Sequence, residues 1–211
     1  TINMNNYKKD IIKKIFIQKI RICVIGLGYV GLPLSLLLSK RNNVVGIDID
    51  KKKISYLNFN KSYLKRIDSS KITKFNKKNT FSSDFSKVLQ ADFIIICVPT
   101  PLKKKRTPDL SFIKNAISKI KPYLKKGQAI VLESTSYPGT TNDHIVKILN
   151  KNFKVGEEIF VGFSSERIDP GRNDNEIENI PKVVSGHSKH CLEVISKFYQ
   201  KHFIKIFKAD S

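Results

Sequence analysis

The chain has 211 residues, 40 % hydrophobic and 27 % charged, a balance typical of globular proteins able to bury a sizeable core. No apolar run approaches the roughly 18 to 20 residues of a membrane span, lysines interrupt the N-terminal stretch where a signal peptide would be apolar, and three cysteines are too few for a disulfide framework. With membrane, fibrous and disulfide-stapled classes excluded, a soluble cytoplasmic domain is expected, carrying a formal charge of +21.

Residues 1–18 are polar and basic, with Ile11, Ile12, Ile15 and Phe16 at helical spacing, and read as a lead-in helix or a frayed tail. The main domain is placed at 19–211. Ile20–Ile25 is an unbroken apolar run, a strand buried on both faces, and Tyr29–Arg41 is a helix apolar nearly all round. A strand at Val44–Ile49, a short helix at Lys51–Asn58 and a lysine- and asparagine-rich segment assigned to the surface (59–79) follow. Next come a strand at Thr80–Ser82, a short helix at Phe85–Gln90 and a buried strand at Asp92–Val98. The second half repeats the alternation: helix Ser111–Leu124, strand Gln128–Glu133, helix Thr140–Asn150, strands Ile159–Phe163 and Lys182–Ser185, helix Lys189–His202 and strand Phe203–Phe207. Ser164–Ile180 is the one long irregular stretch, a length at which loops are usually functional. Strands alternating with helices predict a doubly wound α/β fold, with six parallel strands, helices on both faces and a two- or three-stranded extension after Ile159.

Gly26-Leu27-Gly28-Tyr29-Val30-Gly31 fits G-x-G-x-x-G between a buried strand and an apolar helix, and Asp48 closes the next strand. In a Rossmann-like sheet Gly26 makes the tight turn, Gly28 admits a diphosphate close to the backbone and Gly31 lets helix and strand touch. The helix N-terminus attracts the diphosphate, and the Asp48 carboxylate suits the two ribose hydroxyls of NAD while repelling a 2′-phosphate. Lys51, Lys52 and Lys53 nearby leave NADP as the lesser alternative. Ligands of such sheets lie beyond the strands' carboxyl ends, where Thr100, Ser134 and Thr135 stand either to touch the cofactor or to cap the following loops.

Three further segments share this end: Glu133-Ser-Thr-Ser-Tyr-Pro-Gly-Thr-Thr141, Ser164-Ser-Glu-Arg-Ile-Asp-Pro-Gly171 and Ile180-Pro-Lys-Val-Val-Ser-Gly186. Together with the glycine motif and Val98-Pro-Thr-Pro101, their order resembles the UDP-glucose/GDP-mannose dehydrogenase family over residues 19–211, and most of all its branch acting on UDP-N-acetylhexosamines. The resemblance implies oxidation of a sugar C6 alcohol to a carboxylate with two NAD per turnover, for nucleotide-sugar and surface polysaccharide synthesis. It also implies a homodimer for the full-length enzyme. UDP-N-acetylglucosamine is the leading substrate, with UDP-N-acetylmannosamine and UDP-glucose as alternatives. By the same resemblance Tyr29, Val30, Asp48, Thr100 and Thr135 contact NAD, Glu166 serves acid/base and hydrolytic steps, and Arg167 and Ile168 line the sugar-nucleotide site.

From the residues alone, Glu166 is either a poised base or a solvated loop charge, and Arg167 a diphosphate ligand or a surface ion pair. Ser165 departs from the family's usual proline before the glutamate. The family's catalytic lysine and its cysteine, which traps the aldehyde as a thiohemiacetal, belong to segments beyond this sequence. This chain alone is therefore expected to bind NAD without turnover, and a truncated NAD-sensing or partner-binding module is the alternative. Cys23 and Cys97 lie within strands, and Cys191 has no Gly-rich loop around it, so none is read as the nucleophile. His187, His190 and Cys191 are too crowded to suggest a metal site, and none is expected. Of the 39 basic residues 33 are lysine, which argues against bidentate nucleic-acid reading. A compositional bias accounts for the charge best, assistance to an anionic small substrate next and nucleic-acid binding last.

Overall fold

The computed structural model describes residues 6–101, 109–133, 145–165 and 174–209, with backbone alone for 174–176. Eight strands form one sheet: β1 (Arg21–Ile25), β2 (Asn43–Ile47), β3 (Thr80–Ser82), β4 (Phe93–Ile96), β5 (Ala129–Leu132), β6 (Phe160–Ser164), β7 (Lys182–Gly186) and β8 (Ile206–Lys208). Their spatial order is β3-β2-β1-β4-β5-β6-β7-β8. The first six are mutually parallel, β7 runs antiparallel to β6, and β8 is parallel to β7. The expected six-stranded parallel sheet is present, and its extension has two strands.

The strands read as unbroken apolar runs because both faces are covered. Side chains alternate across the sheet, and this alternation divides the interior into two cores. Ile22, Val24, Phe93, Ile95 and Val131 point to one core, shared with α1 (Asn6–Phe16), α2 (Gly31–Leu38), α3 (Lys51–Asn58), α4 (Ser69–Asn76) and α7 (Lys189–Gln200). Cys23, Ile25, Ile94, Ile96 and Leu132 point to the other, closed by the 3-10 turn Phe85–Gln90, α5 (Ser111–Ile120) and α6 (Lys147–Leu149). The lead-in segment is a helix from Asn6, and Ile11 and Ile15 bury its apolar stripe in the first core, where Lys8 pairs with Glu193 of α7 at 2.9 Å.

One expectation fails. Residues 59–79, assigned to the surface, place Leu64, Ile67, Ile72 and Phe75 in the core, each 5 % exposed or less. Asp68 caps α4 there by accepting the Ser70 N–H, and Phe75 stacks on Phe81 with ring centroids 4.3 Å apart. A few well-spaced anchors suffice to bury one helix face despite the polar residues between them. Smaller differences concern ends. α2 starts at Gly31, because Tyr29 and Val30 remain in the preceding turn, and β8 starts at Ile206, after a turn in which Phe203 is buried. The start of the helix expected at Thr140 lies outside the described residues. Part of the irregular stretch is a 3-10 helix, Asp174–Asn179.

Candidate functional site

Strand order reverses between β1 and β4, and at such a switch point the loops beyond the two strands part and leave a crevice. A cavity of about 570 Å³ occupies it. Its walls come from four strand ends: Gly26, Gly28, Tyr29 and Val30 after β1, Asp48 and Ile49 after β2, Cys97 to Thr100 after β4, and Glu133 after β5. Of the residues singled out in the sequence, Gly26, Gly28, Tyr29, Val30, Asp48 and Thr100 line this one cavity. Gly31 lies behind the wall. Ser134, Thr135, Glu166, Arg167 and Ile168 lie outside the described residues.

Each glycine meets a different demand. Gly26 has φ +90°, a conformation side chains rarely adopt. At Gly31 a Cβ would sit 1.8 Å from the Gly26 carbonyl oxygen, so only glycine permits this approach of helix to turn. At Gly28 a Cβ would meet nothing within 4 Å: the backbone there faces open cavity. α2 opens beside it without a side-chain cap; the Leu32 and Leu34 N–H groups donate to the Gly28 and Val30 carbonyls, and the positive end of the helix dipole favours an anion there.

Asp48 is 7 % exposed. Its Oδ2 accepts the Leu27 N–H at 2.8 Å and its Oδ1 the Asp50 N–H at 2.9 Å. A carboxylate offers about four lone-pair positions, so two remain for a vicinal diol in the cavity. Lys53 lies 3.6 Å from Oδ2, balancing the charge. Tyr63 donates to the Leu27 carbonyl and braces the glycine loop from behind. Burial and the charges of Asp48 and Asp50 hold its phenol well above the ordinary range. Tyr29 is 65 % exposed at the rim, with the Arg66 guanidinium 5.5 Å from its ring centroid and bonded to its carbonyl. Ile49, Val98, Phe112 and Ala116 give the cavity an apolar lining that suits a base. Open backbone at a helix start, a carboxylate with free acceptor positions and an apolar lining together fit an adenine dinucleotide.

The floor holds a buried constellation that sequence reasoning missed. Glu133 is 1 % exposed and Lys182 5 %. Lys182 Nζ contacts Glu133 Oε1, and the Tyr199 hydroxyl donates to Oε2 at 2.5 Å. Burial lowers the pKa of the Lys182 ammonium to about 7, opposed in part by the nearby Cys97, and its Nζ touches the Glu133 carboxylate. The available signal was a carboxylate closing the apolar run of β5, which calls for a buried cation. Cys23 and Cys191 are fully buried, burial raises both thiols, and Cys191 Sγ accepts the Val161 N–H at 3.3 Å. Neither is placed as a nucleophile.

Residues 20–203 match the family model described as "UDP-glucose/GDP-mannose dehydrogenase family, NAD binding domain". The chain is 35 % identical over 187 residues to a UDP-N-acetyl-D-glucosamine 6-dehydrogenase of Salmonella typhi, covering 88 % of this chain and 44 % of that protein. It is 35 % identical over 196 residues to a UDP-N-acetyl-D-mannosamine dehydrogenase of Methanocaldococcus jannaschii, covering 90 % and 45 %. The derivative structure of the UDP-N-acetyl-mannosamine dehydrogenase Cap5O from Staphylococcus aureus superposes with a TM-score of 0.85 at 29 % identity, over 90 % of this chain and 47 % of that one. The chain thus spans a little under half the length of these relatives.

Proposed function

The chain belongs to the UDP-glucose/GDP-mannose dehydrogenase family, whose NAD-binding domain it carries, and we propose that it serves as the cofactor half of a UDP-N-acetylhexosamine 6-dehydrogenase. The observation that carries this reading is the cavity at the strand-order reversal, where Gly28 backbone and the Asp48 carboxylate face one space. Bound NAD supplies a hydride acceptor. Asp48 takes the adenosine ribose hydroxyls, and the turn Gly26–Gly31 with the start of α2 takes the diphosphate. Tyr29 and Val30 cover the cofactor from the rim. Thr100, Ser134 and Thr135 meet its nicotinamide half. Glu166 holds or moves the proton in the chemical steps, and Arg167 and Ile168 meet the sugar nucleotide.

The relatives' names support a UDP-N-acetylhexosamine, with UDP-N-acetylglucosamine as the first choice and UDP-N-acetylmannosamine as the second. None of the residues above supplies the lysine and cysteine chemistry that the family resemblance implies, so this polypeptide tested by itself is expected to bind NAD without oxidising any UDP-sugar. The test is a thermal shift and titration of the chain with NAD, alongside NADH formation from each UDP-sugar. Stabilisation by NAD without turnover is expected. Robust turnover by this polypeptide alone, or indifference to NAD, would overturn the reading.

A further inference from the structure

The buried lysine beneath the cavity ties together two segments that the proposed function treats as separate. We infer that Lys182 is a positioning residue, bridging the ends of β5 and β6 so that Glu133, which lines the cavity, is held in a fixed position against the nicotinamide half of the cofactor. This inference rests on the NAD reading above.

Lys182 Nζ contacts Glu133 Oε1, one residue before Ser134 and Thr135, and donates to the Ser165 carbonyl at 3.3 Å, one residue before Glu166. The topology makes this possible. β7 is antiparallel to β6, with Val184 opposite Ser164, so the first residue of β7 lies at the end of the sheet where β5 and β6 finish. A parallel strand would begin at the opposite end. The Tyr199 hydroxyl fixes the second carboxylate oxygen, and the Tyr199 and Phe203 rings flank the ammonium at 5.8 and 5.4 Å. The carboxylate is thereby held on both oxygens beside the cavity. A buried ion pair is a poor device for stability alone, because apolar replacements usually do as well. Its placement at two functional strand ends points to geometry as its purpose.

ADP occupies only the half of the site formed by Asp48 and the glycine turn, whereas NAD reaches both halves, so the ratio of their affinities reports on how Glu133 is held. Lys182→Met should weaken NAD about tenfold while ADP changes less than twofold, and Lys182→Arg should restore most of the loss. If Lys182→Met leaves Glu133 stranded and unfolds the chain, Lys182→Met with Glu133→Gln removes both charges. That double variant should fold and still lose the NAD preference. NAD and ADP weakening by one common factor, or neither changing, would overturn the inference. Wild-type chain that binds neither ligand would overturn the NAD reading itself, and this inference with it.

Discussion

Replacing Asp48 with asparagine separates what this carboxylate does for the fold from what it does for the cofactor. Its two oxygens accept the Leu27 and Asp50 N–H groups at 2.8 and 2.9 Å. An asparagine that keeps one of these bonds turns its own NH₂ toward the other N–H. One buried donor is then stranded, at a cost of about 1–3 kcal/mol, read as a lower urea midpoint at unchanged slope. In the complex the variant exchanges charge-assisted bonds to the ribose diol for neutral ones, a loss of about 1.5–3 kcal/mol, or about 10- to 150-fold in NAD affinity. The repulsion of a 2′-phosphate disappears, and Lys53, 3.6 Å from the carboxylate, becomes available to it. Calorimetric titration should therefore show NAD weakening while NADP holds or improves. Asp48→Asn that is destabilised yet binds NAD within twofold of wild type would refute the assignment and leave Asp48 as a loop brace.

Three other outcomes are expected. His202 is buried against Phe198, with its Nε2 3.3 Å from the Asn42 amide nitrogen, and burial followed by the nearby Arg41 charge lowers its pKa to about 4. The unfolded chain, at about 6.5, then takes the proton first, so stability is lost as pH falls from about 6.5 to about 4, by about 3 kcal/mol in all. Urea midpoints should show this slope in wild type and a flatter one in His202→Gln; parallel slopes would contradict it. Gly31→Ala drives a Cβ into the Gly26 carbonyl and should cost about 1–3 kcal/mol or more together with NAD binding, whereas wild-type stability and affinity would rule out the close approach. A thiol reagent should leave Cys23 and Cys191 unmodified in the native chain and reach both after unfolding; rapid native labelling of Cys191 would reopen its candidacy as a nucleophile.

Much of the sheet was readable from residue patterns, because a strand covered on both faces must be apolar throughout: Ile20–Ile25 and Asp92–Val98 announce β1 and β4. The glycine turn and Asp48 were readable for a different reason. Their chemistry depends on short spacing within one strand-turn-helix-strand unit, and spacing survives in sequence. The core role of residues 59–79 was hidden because Leu64, Ile67, Ile72 and Phe75 are sparse among lysines and asparagines. The Glu133–Lys182–Tyr199 constellation was hidden by distance along the chain. Glu133 and Tyr199 are 66 positions apart, and only the antiparallel turn of β7 brings Lys182 between them. Local rules do not foresee that β7, with β8 parallel to it, reverses against the first six strands, so the pairing becomes visible only in three dimensions.

The crystal structure of the chain with NAD bound tests the central claim most directly. The account predicts the diphosphate over Gly28 at the start of α2, both adenosine ribose hydroxyls on the Asp48 carboxylate, and the nicotinamide half directed toward Thr100 and Glu133. A cofactor seated elsewhere on the molecule, with this cavity empty, would contradict it.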